Sequence, residues 1–173
     1  LSLEPHLCAH SRAEQTGCTR CLDICPTGAI FPAGEHVDVD PMVCAGCGAC
    51  ASLCPSGAIK YDAPPVSHIL TRVRTLAETY AKAGGKAPRL LVHDDTHGAE
   101  MISLAARFDR GLPADVIPLS IAALAEFGHA EMLAALVSGF ASVQILPSPR
   151  TERDPIEAER HECATLQPDQ HAA

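Results

Sequence analysis

Cysteine is the residue type in this sequence with the greatest capacity for chemistry. Nine of the 173 residues are cysteine; eight lie between Cys8 and Cys54, and Cys163 stands alone near the end. Thiolates bind soft metals and pairs of thiols form disulfides, so this density predicts either bound metal or cross-links. The spacing of the cysteines separates these alternatives better than their number does.

The cysteines belong to an internal repeat. Two copies of a Cys-x2-Cys-x3-Cys-Pro-[Thr/Ser]-Gly-Ala-Ile run begin at Cys18 and Cys47, 29 residues apart, and each has one further cysteine upstream. Two residues separate Cys44 from Cys47, whereas nine separate Cys8 from Cys18. The first copy therefore carries a seven-residue insertion. Self-similarity of this kind indicates a duplicated small module.

The two runs resemble the bacterial-type two-[4Fe–4S] ferredoxin family, over residues 1–62. In that family three closely spaced cysteines bind one cluster, and the cysteine before proline binds the other. The resemblance therefore implies two [4Fe–4S] clusters with crossed ligand sets. These sets are Cys8, Cys18, Cys21 and Cys54 for one cluster, and Cys44, Cys47, Cys50 and Cys25 for the other. Cys8 can be a ligand only if the inserted loop bulges outward. Otherwise the first cluster would have three irons, or another residue would be its fourth ligand.

Two other interpretations use the same cysteines. Zinc ribbons also contain Cys-x2-Cys pairs, but they do not require a third cysteine directly before proline. A disulfide scaffold accommodates eight cysteines without explaining the repeat. By resemblance to the ferredoxins, Phe31 and Tyr61 are expected to pack on the clusters and exclude water from them.

The elements that would position the cysteines are short. Residues 29–32 and 36–40 predict a hairpin around Ala33-Gly34-Glu35, and residues 1–4 with 58–61 predict a second pairing. The cysteine runs predict one or two helical turns each, stopped by Pro26 and Pro55. A core this small needs a metal or a cross-link to be stable.

The rest of the chain has a different pattern. A helix is predicted over 67–83, with Ser67 as its N-cap, followed by strands at 89–93, 115–119 and 141–146 and helices at 98–110 and 121–138, the last interrupted near Gly128. The fold class expected is α+β: a bacterial dicluster ferredoxin fold followed by a small α/β domain (βαβαβ, parallel sheet). The domains expected are a ferredoxin domain at 1–62, a helical linker at 63–88, the α/β domain at 89–147 and a mostly disordered tail at 148–173, with one helical stretch at 155–162.

The second half shows little that is able to do chemistry. Its first strand leads into His93-Asp94-Asp95-Thr96-His97-Gly98, which lacks a glycine-rich phosphate-binding pattern, so a dinucleotide is not expected. These side chains could ligate a divalent metal, but an exposed loop in which Asp caps the next helix is the favoured interpretation. Glu126, His129 and Glu131 are expected to be solvated helix residues. The segment also resembles the delta iron–sulfur subunit of hydrogenases and heterodisulfide reductases but lacks its cysteines, which leaves a docking role.

Composition limits the remaining function classes. Thirteen Lys and Arg against 21 Asp and Glu give a net charge of −8, which argues against nucleic acid or an anionic membrane surface as partner. No apolar run reaches the ~20 residues that a membrane span needs, so a soluble, cytoplasmic protein is expected. No side chains form a recognisable catalytic group. We therefore expect the chain to transfer electrons and not to catalyse a reaction itself.

We therefore expect an iron–sulfur electron-transfer protein, a subunit or fragment of a larger redox enzyme system such as one oxidising formate or hydrogen. Two oxidised clusters of about −2 each would bring the net charge to about −12. The redox partner, a formate dehydrogenase or hydrogenase-type enzyme, is then expected to dock through a basic face. A stand-alone carrier, and a redox sensor or metal-centre assembly factor, remain alternatives.

Overall fold

The computed structural model of the chain describes residues 1–12, 14–62 and 64–148. These residues form two compact units, one of which spans Leu1–Pro65 while the other begins at Val66. In the described residues no helix combines the length and apolar character needed to cross a bilayer. The predicted tail, its helical stretch and Cys163 lie outside the described residues, apart from Ser148.

The first unit contains two small antiparallel pairings. Strand β1 (Ser2–Leu3) pairs with β4 (Ile59–Lys60), and β2 (Ile30–Ala33) pairs with β3 (His36–Val39). The β2–β3 hairpin turns at Gly34, whose φ of 76° lies in the left-handed region that glycine adopts without strain. Both predicted pairings are confirmed.

Two short helices connect these pairings. Helix α1 (Arg20–Ile24) contains Cys21, α2 (Ala49–Ser52) contains Cys50, and the two pack against each other. Helix α1 ends before Pro26 because a proline disfavours helical geometry in the residue that precedes it, and Cys25 is accordingly extended (ψ 109°). Three cysteine side chains are themselves part of the small apolar core of this unit. They are Cys8, Cys21 and Cys50.

The second unit is a three-stranded parallel sheet with three helices. Its strands are β5 (Arg89–Asp94), β6 (Val116–Ile121) and β7 (Ser142–Leu146), in the order β6-β5-β7. Its helices are α3 (Val66–Lys82), α4 (His97–Phe108) and α5 (His129–Val137), preceded by a 3₁₀ turn at Leu124–Glu126. The α/β alternation predicted from the sequence is confirmed.

Helix α3 contributes its apolar face to the core of the second unit. Ile69, Val73 and Ala77 recur every four residues, are at most 4% exposed, and belong to the same cluster as Leu90 of β5. The helix begins at Val66, so Ser67 lies in its first turn and the prediction of Ser67 as N-cap is wrong. The predicted four-part division of the chain, with a linker at 63–88, stays a prediction.

The predicted helix over 121–138 is divided in the structure. Its first residue, Ile121, ends β6, a single 3₁₀ turn follows at Leu124–Glu126, and only His129–Val137 is α-helical. Gly128 stands between the two parts in an extended conformation (φ −99°, ψ −162°), so the interruption expected there is confirmed. The apolar side chains of this segment belong partly to a strand, which local periodicity does not distinguish from a helix over a few residues.

Candidate metal centres

Eight described cysteines surround two separate cavities in the first unit. One cavity is lined by four of them: Cys8, Cys18, Cys21 and Cys54. The other is lined by the remaining four: Cys25, Cys44, Cys47 and Cys50. We call these cavity 1 and cavity 2. Each combines three cysteines of one run with the pre-proline cysteine of the other run.

Cys8 lines cavity 1 although nine residues separate it from Cys18. Cys8 follows a 3₁₀ turn at Pro5–Leu7 and is 7% exposed. The Gly17 amide donates to the His10 carbonyl (2.7 Å), which joins the two ends of the loop. A Cβ at Gly17 would lie 3.0 Å from the Ala9 carbonyl oxygen, so this close approach favours glycine.

Side chains of the loop also bind the backbone of the cysteine runs. The Arg12 guanidinium donates from Nε to the Cys8 carbonyl (2.8 Å), and His10 Nδ1 lies 2.9 Å from the Cys18 carbonyl oxygen. His10 is 5% exposed and lines cavity 1. Hydrogen bonds thus connect the insertion to the residues on both of its sides, which explains how a cysteine ten residues upstream of Cys18 joins the other three.

The Cys-Pro turns form a repeated hydrogen-bonding site around one sulfur in each cavity. The Cys25 Sγ lies 3.6 Å from the Thr27 hydroxyl, and the Cys54 Sγ lies 3.7 Å from the Ser56 hydroxyl. Burial raises the pKa of both thiols, but hydrogen bonds from these hydroxyls and from backbone amides of the following turn outweigh it, and the pKa of each is lowered overall. Both turns therefore stabilise a thiolate.

Two other cysteines are buried and carry no such compensation. Burial, with a smaller contribution from neighbouring thiols, raises the pKa of Cys21 to about 11 and that of Cys50 to about 12. Cys21, a cavity 1 residue, is among the thiols that raise the pKa of Cys50, so the two cavities are close neighbours. Thiolates here require a metal, because ligation to a metal deprotonates a thiol outright.

The donor set fits iron–sulfur clusters. Each cavity offers four thiols, which is the ligand set of a [4Fe–4S] cluster, and its remaining wall is mostly small and apolar. In the part of the chain that the structure describes, no three His, Cys, Asp or Glu side chains are grouped so as to chelate one ion. A four-iron cluster does not need such a group, because each thiolate binds a different iron of the cluster.

Phe31 and Tyr61, expected to pack on the clusters, lie elsewhere. Phe31 is 45% exposed on β2, and the Tyr61 hydroxyl donates to the Gly46 carbonyl (2.9 Å). Neither side chain lines cavity 1 or cavity 2. Cavity 1 is lined instead by residues of the strands, such as Val37 and Ile59. Strand pairing determines which residues these are, and the spacing of the cysteines does not predict it.

Side chains at the end of β5 form hydrogen bonds within the segment that leads into α4. Asp94 is buried and accepts hydrogen bonds from the Gly98 amide and the Thr96 hydroxyl, and His93 Nδ1 lies 2.7 Å from the Asp94 carbonyl oxygen. Asp94 therefore binds the first turn of α4 from the end of β5, but the N-cap residue of α4 is Thr96, so the expectation that an Asp is the N-cap is wrong. The expectation that this loop is exposed is wrong for His93 and Asp94, which are 7% and 9% exposed.

Two carboxyl groups of the second unit are buried, which corrects the expectation that they are solvated. Glu126 is 4% and Glu131 is 5% exposed. Glu131 accepts a hydrogen bond from the Gly128 amide (3.0 Å) at the start of α5, whereas neither Glu126 oxygen has a hydrogen-bond partner in the structure. Burial, partly offset by the Ala123 backbone and reinforced by the charge of Glu131, raises the pKa of Glu126 to about 7. The sequence contained a signal for the role of Glu131: a Glu three residues after the N-cap residue, here Gly128, is typical of a capping box.

Comparison with known proteins assigns the cysteine region to a class. Residues 16–58 match the family model for the 4Fe-4S dicluster domain, and the match begins after Cys8. No curated protein and no solved structure matches the chain. The resemblance of the second unit to a delta iron–sulfur subunit has no support in these comparisons. Residues 16–58 thus form a ferredoxin-like iron–sulfur module.

Proposed function

We propose that this chain is an electron-transfer protein that carries two [4Fe–4S] clusters. One observation carries the proposal: eight cysteines line two cavities in sets of four, and each set takes its fourth member from the other run. Cavity 1 would hold one cluster through Cys8, Cys18, Cys21 and Cys54, and cavity 2 would hold the other through Cys44, Cys47, Cys50 and Cys25. Bound there, each cluster supplies a one-electron redox centre.

The packing of the first unit supports exchange of electrons between the two sites. Helix α1 supplies Cys21 to cavity 1, α2 supplies Cys50 to cavity 2, and the two helices are in contact. The crossed sets tie the sites together further, since each Cys-Pro turn leads from one cavity to the other. The chain's own residues thus hold the sites at a fixed short separation and surround them with apolar side chains.

The second unit supports a role inside a larger redox system, such as one oxidising formate or hydrogen. Helix α4 exposes Met101, Leu104 and Phe108, which recur at i, i+3 and i+7 and so lie on one face. Exposed apolar residues grouped in this way are typical of protein–protein contact surfaces. The electron donor and acceptor of the ferredoxin-like module would then be other subunits of the same assembly.

Metal analysis of the full chain, purified without oxygen, tests the number and type of clusters. Two four-iron clusters predict about eight iron and eight acid-labile sulfide per chain, and interacting S = ½ signals in the reduced protein by electron paramagnetic resonance (EPR). Stoichiometric zinc without sulfide would contradict the proposal, and about four iron would leave only one site. Co-purification with a flavin or molybdenum enzyme tests the assembly context separately.

A further inference from the structure

The two cavities differ in their surroundings. Beside cavity 2 lies an open groove of about 1070 Å³, part of which is open to solvent. Cys44 lines both the groove and cavity 2, so this cysteine forms a wall between them. The sides of the groove are apolar, from Leu3, Val39 and Pro41, and Tyr61 lies at the groove with its hydroxyl bound to the Gly46 carbonyl.

Exposed apolar side chains of the first unit collect around this groove. Among the described residues of that unit, four large apolar side chains are more than a third exposed: Leu1, Phe31, Met42 and Val43. Leu1 lines the groove, Val43 precedes Cys44, and Met42, at 91% exposure, follows the lining residue Pro41. Phe31 pairs across the hairpin with Asp38, another lining residue, so their side chains share one face.

Charge is distributed unevenly between the two cavities. Asp38 and Asp62, both exposed, line the groove, and the Leu1 amino group, 4.0 Å from Asp62, only partly balances their negative charge. Residues 1–62 contain three Lys or Arg. Arg20 lines cavity 1, Arg12 binds the Cys8 carbonyl, and Lys60 is paired with Glu4. An approaching basic surface is therefore attracted to the groove.

We propose that the groove beside Cys44 is the docking surface for a basic one-electron redox protein. This proposal rests on the proposed function and adds where exchange with the partner occurs. The partner would place an apolar side chain between Leu3, Val39 and Pro41, with flanking lysines or arginines at Asp38 and Asp62. Exposed apolar side chains rimmed by charge are typical of interaction sites. One electron passes per encounter, from the reduced protein to the oxidised centre of the partner, and no bond forms or breaks.

Reduction of ferric cytochrome c, a basic one-electron acceptor, provides a direct probe. The full chain, loaded with iron and reduced, is mixed with the probe by stopped flow at low and high salt. D38N/D62N is expected to lower the second-order rate constant roughly three- to tenfold at low salt and to flatten its salt dependence, because steering is lost. The matched control E78Q/D95N removes two exposed negative charges of the second unit, one from α3 and one from the turn after β5, and should leave the rate within about twofold.

A second variant pair tests the apolar contact. M42S removes a side chain that is 91% exposed at the groove, and V137S removes one that is 89% exposed on α5. M42S is expected to lower the rate at high salt, where steering is screened, and V137S to leave it unchanged. Equal effects within both pairs would overturn the docking surface.

Cross-linking locates the contact without requiring electron transfer. A zero-length carbodiimide reagent joins carboxylates of the chain to lysines of the probe, and mass spectrometry identifies the joined peptides. Cross-links at Asp38 and Asp62 are expected; cross-links confined to other carboxylates would overturn the proposal. Iron and sulfide analysis of every variant keeps the two hypotheses apart, because absence of clusters contradicts the proposed function whereas intact clusters with unchanged rates contradict only the docking surface.

Discussion

The sulfur atoms of Cys25 and Cys54 are each hydrogen-bonded by the turn that follows the cysteine. The next polar side chain, Thr27 or Ser56, places its hydroxyl 3.6 or 3.7 Å from the sulfur, and backbone amides of the same turn add further hydrogen bonds. Hydrogen bonds to sulfur ligands raise the reduction potential of a cluster, because the reduced form is more negative. At the scale of single residues, these hydroxyls would therefore adjust the potentials of the two proposed clusters without altering their ligands.

Thr27→Val and Ser56→Ala are expected to lower one midpoint potential each. Loss of one hydrogen bond to a charged sulfur, worth on the order of 1 kcal/mol, corresponds to about 40 mV for one electron. Because Cys25 lines cavity 2 and Cys54 lines cavity 1, the two variants should shift different midpoints in a titration followed by EPR. Thr19→Val is the control, since the Thr19 hydroxyl donates to Asp23 (2.7 Å). A shift of the same midpoint in both variants would contradict the assignment.

Cys8 is the ligand whose role most needs a test. Cys8→Ala is expected to leave three cysteines at cavity 1, so that iron content falls from about eight to about seven and the oxidised protein shows a three-iron EPR signal. Cys163→Ala, in the tail, should keep about eight iron. If Cys8→Ala retained the full iron content and showed no new signal, another group would be the fourth ligand.

At the scale of elements, the segment between β6 and α5 combines apolar packing with buried carboxyl groups. Phe127 is fully buried between Glu126 and Gly128, and the Glu131 carboxylate holds the Gly128 amide at the start of α5. Glu126 lies in the 3₁₀ turn with neither carboxyl oxygen hydrogen-bonded. A buried carboxyl group without a partner is more stable neutral than ionised, which couples the stability of this segment to pH.

The second unit is expected to lose stability as the pH rises from about 4.5 through about 7. The Glu126 pKa is raised in the folded state, so the unfolded chain releases its proton at lower pH, and folding is opposed by up to about 3 kcal/mol at higher pH. Glu126→Gln should remove most of this dependence. Hydrogen exchange of peptides from β6 and α5 between pH 5 and 8, corrected for intrinsic rates, measures it. Parallel pH profiles in the variant and the parent would contradict the prediction.

At the scale of the whole molecule, the two units rely on different sources of stability. The core of the first unit includes Cys8, Cys21 and Cys50, whereas that of the second is built from aliphatic and aromatic side chains of the sheet and its helices. Small cores that rest on metal ligands unfold when the metal is lost, because metal-binding energy is then folding energy. The units should therefore respond differently to removal of iron.

Removing iron with a chelator under mild oxidation is expected to unfold the first unit selectively. Amide protection within residues 1–62 should fall by roughly tenfold or more, while Leu90 and Val92 of β5 keep theirs. Hydrogen exchange with mass spectrometry measures both regions in one sample. Unchanged protection in residues 1–62 would show that the first unit folds without clusters, and equal losses in both regions would show that the units unfold together.

Most of the fold follows from local patterns in the sequence. The β2–β3 hairpin is specified by Gly34 between two short apolar runs, and α3 by apolar residues every three or four positions. The exceptions are short segments such as 121–128, where only Ile121 belongs to β6 and a single 3₁₀ turn follows at Leu124–Glu126. There, Gly128 in an extended conformation delays the start of the α-helix to His129.

The cysteine spacing by itself determined which residues are candidate ligands, because a ligand run for a cluster is local in the chain. Tertiary structure decided what depends on contacts between distant segments. It placed Cys8 in cavity 1 through the hydrogen bonds of the inserted loop, and it buried Glu126 beside Phe127. It also brought strand ends 60 residues apart, Ser2 and Asp62, to one groove beside Cys44. Spacing encodes the chemistry of a site, whereas burial, pKa and access arise only when the chain folds.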